Sequence, residues 1–159
     1  MLDATAPARR RASNWGLPFG LVIAAIAVAG FAWLIFRAQA LPTGVVPIAW
    51  DKEACAHCRM HVGEKGFAAQ LQLADGRVLN FDDPGCMFSW LGEHTDEVHA
   101  TWLHHRTDDR WLRRDEVRFV EASPTPMGFG IAAVDASAPL AMRWEQAAQK
   151  IQAAKGASR

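Results

Sequence analysis

Residues 67–91 read FAAQLQLADGRVLNFDDPGCMFSWL, from Phe67 to Leu91, and this stretch decides the fold. Two apolar-rich runs, Phe67 to Leu73 and Arg77 to Phe81, are joined by Asp75-Gly76, a strong short-range hairpin signal, because both residues tolerate the positive φ of a tight turn. Asp82 or Asp83 then offers an N-cap, and Pro84 takes the first helical position, where its missing N–H costs nothing. Met87, Trp90 and Leu91 share one stripe of the helix that follows, which is expected to run to about His94. Val98 to Leu103 reads as a third strand, so this part of the chain predicts β-β-α-β.

The C-terminal part is a fainter echo. Val117, Phe119 and Val120 read as one strand and Gly128 to Val134 as another. Ser137 is expected to cap a last helix with Pro139 in its first turn. Leu140, Trp144, Ala147, Ala148 and Ile151 then follow a helical apolar pattern that ends before Gly156. The expected class is α+β, a small domain of two β-β-α-β-like halves behind an N-terminal transmembrane helix.

That helix is read from Gly16 to Phe36, a run without a charged residue, where a bilayer core requires about 20 apolar residues. Trp15 and Trp33 lie towards its ends, and Arg9, Arg10 and Arg11 on the short N-terminal side favour keeping that side in the cytoplasm. Cleavage after Ala38-Gln39-Ala40 is the competing reading, opposed by the length of the run and by Arg37. No cysteine lies near the segment to carry a lipid. The expected organisation is a basic cytoplasmic tail over 1–14, an anchor over 15–37, and a linker over 38–45 that includes Pro42 and Gly44. A domain over 46–155 follows, outside the cytoplasm at the inner membrane.

The 159 residues allow one compact domain, and a composition of 50% apolar and 21% charged residues is globular. Net charge is zero overall. Setting aside Asp3, Arg9, Arg10, Arg11 and Arg37 leaves thirteen basic and sixteen acidic residues downstream, about −3. Such a domain is a poor partner for nucleic acid and is better suited to cations. The chain carries no catalytic carboxylate pair, Ser-His-Asp set or phosphate-cradling glycine loop, so it reads as a binding protein and not an enzyme.

The chemistry concentrates in Cys55-Ala56-His57-Cys58-Arg59-Met60 and in Cys86-Met87. Thiolate and thioether sulfur favour Cu(I) over hard cations. Three cysteines leave at least one thiol unpaired, and a Cys55–Cys58 disulfide beside a buried Cys86 is the plainest alternative. A thiol–disulfide function is weakened because no strand of a thioredoxin-like βαβ unit precedes the pair. Structural zinc would need Cys55, Cys58, Cys86 and a histidine, His57 or His61, and Met60 and Met87 would then be idle.

Met127 lies between Pro126 and Gly128, in a loop whose shape those residues constrain, so it is either core filler or a presented thioether. His104-His105 end a strand and point to opposite faces, which prevents joint chelation and suggests two surface side chains. Arg113-Arg114-Asp115-Glu116 reads as a solvated face.

Three blocks together carry a resemblance. Cys55 to Met60 with Phe67-Ala68-Ala69-Gln70, then Asn80-Phe81-Asp82-Asp83-Pro84-Gly85-Cys86-Met87, then Thr125-Pro126-Met127-Gly128-Phe129-Gly130 resemble, in order, the NosL family, accessory copper-binding proteins associated with nitrous oxide reductase. The resemblance implies an α+β domain of two β-β-α-β halves and a Cu(I) metallochaperone. Such a carrier would supply the reductase directly or through a membrane transporter complex. Carried over by position, the resemblance places copper on Cys55, Cys58 and Met60, with Cys86, Met87 and Met127 as further ligands. Arg59 stands where the family has glycine, which puts the local turn, and so Met60, in question.

Overall fold

The computed structural model describes residues 16–38 and 40–157, with side chains described over 20–35 and 40–156. The chain forms two units, residues 1–40 and 41–159. The first contains helix α1, Gly16–Ala38. Among the described residues no helix is long and apolar enough to cross a membrane. Helix α1 is 23 residues long and takes in residues 16–37 of the expected anchor. The basic tail over 1–14 and Trp15 lie outside the described residues.

The second unit is a mixed α+β domain with two antiparallel sheets. Strands β1 (Ala69–Leu73), β2 (Val78–Phe81), β3 (Val98–His104) and β4 (Trp111–Arg113) form a sheet in the order β2-β1-β3-β4. The Asp75-Gly76 turn closes the first hairpin, with Gly76 at φ 90 and the Leu73 and Arg77 backbones bonded across it. Helix α2 (Pro84–Leu91) follows β2, capped by Asp83. The first half is therefore β-β-α-β, as expected.

The second half departs from that plan. Strands β5 (Val117–Glu121) and β6 (Ile131–Asp135) make a sheet of two, helix α3 (Trp144–Ala157) follows, and among the described residues no third strand closes this half. The two halves are therefore not equivalent. Helix α3 also starts later than Ser137 and Pro139 suggested. Leu140 takes φ 58 and is fully exposed, and Met142 pairs instead with Phe119, exchanging both backbone hydrogen bonds at 2.9 and 2.7 Å. The edge of β5 competes for that backbone before the helix can begin.

Both helices pack on the sheets around an aromatic cluster. Phe88 meets Phe119 and Trp144 edge to face, at 5.2 and 4.7 Å between ring centroids, and Phe81 meets Trp90 at 6.3 Å. Each fully buried Phe contributes about 1.5–3 kcal/mol by removal from water.

Strand β1 is buried on both faces. Ala69, Leu71 and Leu73 enter the core, while Gln70 and Gln72 hold the chain leading into the domain. The Gln70 amide both donates to Val46 O and accepts from Val46 N at 2.9 Å, and Gln72 donates to Gly44 O at 2.7 Å. The second compact unit runs from Leu41.

Candidate metal centre

Cys55 and Cys58 sit on a tight loop that the backbone closes twice: Cys55 N–H donates to Met60 O at 2.7 Å and Arg59 N–H to Cys55 O at 3.1 Å. Ala54 and His61 pair as the stem of this loop. Arg59 takes φ 67, the left-handed conformation that glycine adopts freely, so the turn keeps its shape with an arginine in place. Ala56 N–H donates to Asn80 O at 2.8 Å, which docks the loop on the free edge of β2. Cys86 arrives from the first turn of α2.

The three cysteines converge. Their sulfurs all lie within 4.8 Å of one another, all three are free thiols, and no histidine or carboxylate belongs to the cluster. Cys55 and Cys86 are fully buried and Cys58 is half-buried. Protons are unevenly shared among them. A hydrogen bond from the Cys86 thiol, aided by the backbone N–H groups of Asp82, Cys58 and His57, pulls Cys55 down to about 5 despite its burial. Cys86 is pushed well above the usual thiol range, chiefly by donating to Cys55 and then by burial, and Cys58 is raised first by burial. The fold thus favours ionisation of Cys55 ahead of Cys58 and Cys86, within a soft donor set suited to a monovalent soft metal.

The methionines separate into two groups. Met60 is 59% exposed and Met127 is 37% exposed. Met87 is fully buried among the core side chains, as are Cys55 and Cys86. The Met127 loop is tied to the cysteine helix through one carboxylate: Asp83 Oδ1 accepts from Gly85 N–H at 2.7 Å and Oδ2 from Met127 N–H at 3.2 Å. Gly128 and Gly130, at φ 73 and 74, turn the chain around it. Gly85 is required there, because a Cβ would fall 2.1 Å from the Phe129 ring. Asp82 holds the other side by accepting from Gly63 N–H at 3.0 Å.

The histidines stand apart. His57 Nδ1 lies 3.7 Å from Glu93, and His61 is in the stem of the loop. His104 and His105 are buried, not the surface pair expected from sequence. His104 Nε2 meets Asp109 at 3.1 Å, and His105 lies 3.4 Å from Asp108 and 3.5 Å from Asp135. Each ring has its own acidic partners.

His105, Asp108 and Asp135 form a second cluster of possible donors, which sequence reasoning missed because Asp135 is thirty residues away. It already has its cation: Arg110 bonds both carboxylates, and with Thr107 it holds Asp108 below the usual carboxylate range. His105 Nδ1 accepts from Asp108 N–H at 3.1 Å, which leaves the ring proton on Nε2, facing Asp135. Guanidinium and imidazole satisfy this group without a metal.

Comparison with known proteins agrees with the site. The NosL family model matches residues 47–156, which contain every cysteine of the chain. Searches of curated proteins and of solved structures gave no match. With the match covering more than two thirds of its residues and the thiol cluster inside it, the chain belongs to the NosL family of accessory copper-binding proteins.

Proposed function

We propose that this protein is a Cu(I) carrier on the periplasmic side of the inner membrane, held there through residues 1–40, and that it supplies copper for assembly of the nitrous oxide reductase centres. The observation that carries the reading is the all-sulfur cluster of Cys55, Cys58 and Cys86, free of imidazole and carboxylate. Soft donors discriminate Cu(I) from Zn(II), and the absence of a histidine from the cluster weighs against structural zinc. The buried thiolate of Cys55 supplies charge and Cys86 a second sulfur, while the exposed side of Cys58 gives an incoming ligand a way in. Met60 and Met127, neutral and accessible, suit transient contact with the metal during exchange.

Acceptance and release both require such a graded site. A fully enclosed set of thiolates would retain its metal, whereas a half-buried one allows a partner's sulfur to add before the carrier's leaves. Delivery directly to the reductase, or through a transporter complex in the same membrane, completes the proposal. Tethering would raise the effective concentration of the two proteins, so weak and fast contacts would suffice.

Anaerobic Cu(I) titration of the protein against a competing chelator, alongside Zn(II), tests the metal. Stoichiometric Cu(I) binding far tighter than Zn(II) is expected, and equal or better zinc affinity would overturn the reading. Two measurements test place and client. Alkaline phosphatase fused after Val134 should be active if the domain is exported. A deletion strain should accumulate copper-poor reductase, restored by added copper, and normal copper loading there would remove the reductase as client.

A further inference from the structure

A second feature of the domain lies away from the thiols. Arg114, in the turn after β4, Arg118 on β5, and Arg143, just before α3, line a concavity of about 390 Å³ with Trp144. The Arg114 guanidinium lies over the Trp144 ring, 4.7 Å from its centroid. Trp144 in turn rests on Phe88 and Phe119, so the floor of the concavity is anchored in the core.

Several basic side chains of the domain are paired with carboxylates among the described residues, and others, Lys52, Arg59, Lys65 and Arg106 among them, are not. Arg77 is bound to Asp75 and Asp96, Arg110 to Asp108 and Asp135, Lys150 to Glu121, and Arg113 to Asp115. Among the described residues, Arg114, Arg118 and Arg143 have no carboxylate within 4.0 Å. Arg118 donates to the neighbouring Val117 O at 2.7 Å. Three unneutralised guanidinium groups thus face one aromatic-floored hollow in a domain that is acidic overall, and the positive end of the fourteen-residue helix α3 opens beside them.

We propose that this hollow is a docking site for an acidic segment of a partner protein, whose Asp or Glu carboxylates are gripped by Arg114, Arg118 and Arg143 while their methylenes lie on Trp144. Guanidinium forks match carboxylates in a bidentate manner. Asp115 and Glu145 also line the hollow and favour the single charge of a carboxylate over the denser charge of a phosphate dianion or an anionic membrane. The proposal does not depend on the metal reading, because none of these residues belongs to the cysteine cluster.

The test uses the full chain in detergent and a short fluorescein-labelled peptide of alternating glutamate and alanine, followed by anisotropy at low and high salt. Saturable, salt-sensitive binding is expected, weakened about tenfold or more by Arg143→Glu with Arg114→Gln. A lysine-alanine peptide should bind that double variant better than it binds the unaltered protein. Circular dichroism and Cu(I) affinity should be unchanged in the variants. Arg143→Gln and Arg118→Gln, made singly, give the same reading if the double variant does not fold. Peptide binding that the substitutions leave intact would overturn the proposal. So would displacement of the peptide by an equal concentration of inorganic phosphate, or tighter arginine-dependent binding to phosphatidylglycerol vesicles.

Discussion

Asp83 accepts a hydrogen bond from the backbone N–H of Met127, 44 residues further along the chain, with the carboxylate oxygen that does not cap helix α2. One buried side chain therefore fixes the Met127 loop relative to the helix that carries Cys86. Asp83→Asn can keep its carbonyl oxygen on Gly85 N–H, but it then turns an amide donor towards the Met127 donor. The variant is expected to lose roughly 1 kcal/mol of stability in urea unfolding. Its Cu(I) affinity should fall as far as that of Met127→Leu, with no further loss in the double variant. Additive losses would show that Asp83 acts on the metal independently of Met127.

Gly85 is where backbone and ring come closest. Replacement by Ala puts a methyl group 2.1–2.4 Å from Phe129 ring and Cβ atoms. Gly85→Ala should destabilise the domain by about 1–3 kcal/mol, the usual range for overpacking. Adding Phe129→Ala should recover part of that loss in the same thermal melts, since the steric conflict is removed. No recovery would place the strain in the helix backbone instead.

The ligands should rank by charge and access. Cys58→Ser is expected to abolish tight Cu(I) binding, whereas Met60→Leu and Met127→Leu weaken it with the fold intact, because thiolates supply charge and thioethers do not. Met87→Leu, a volume-conserving change in the core, should leave copper affinity alone and cost less than about 1.5 kcal/mol. Chelator competition with circular dichroism on each variant checks the order. Wild-type affinity in Cys58→Ser would make the pair structural.

Acid should separate the thiols of the metal-free protein. Cys55 is held down to about 5 in the fold, below its unfolded value, so its stabilisation is complete above the ordinary thiol pKa and is lost as pH falls towards 5. Cys58 and Cys86 are raised, so their contribution is present below the ordinary thiol pKa and is lost as pH rises beyond it. Ultraviolet thiolate absorbance of the reduced protein should show one ionisation near pH 5 and none of the others until alkaline pH. Cys55→Ser should remove the acid step and flatten the acid side of the urea midpoint plotted against pH.

Some of this was written locally in the chain and some was not. The first hairpin and α2 were legible because Asp75-Gly76, Asp83 and Pro84 act on their immediate neighbours. Strand β4 is three residues long and has no period to detect, and the start of α3 is set by Met142 pairing with Phe119, a contact across the fold. The burial of His104 and His105 depends on Asp109, Asp108 and Asp135, which no strand pattern reveals. At the metal centre, sulfur content named the chemistry and the Cys55–Cys58 spacing one part of the site. That Cys86 joins them depends on the packing of α2 against the cysteine loop, a contact across the fold that the sequence does not print. Arg59 raised doubt in the sequence, yet the turn is kept, because the loop's backbone bonds hold an arginine where glycine would be easiest.

The bond from Ala56 N–H to Asn80 O has a consequence for how the protein behaves when it is not folded correctly. Strand β2 is an outer strand of its sheet, and the cysteine loop covers the backbone it would otherwise present to other molecules. Exposed strand edges recruit further strands. Oxidation or damage that dislodges the loop would then do more than remove a binding site: it would open a template for intermolecular pairing, and loss of cargo and aggregation would share a single origin.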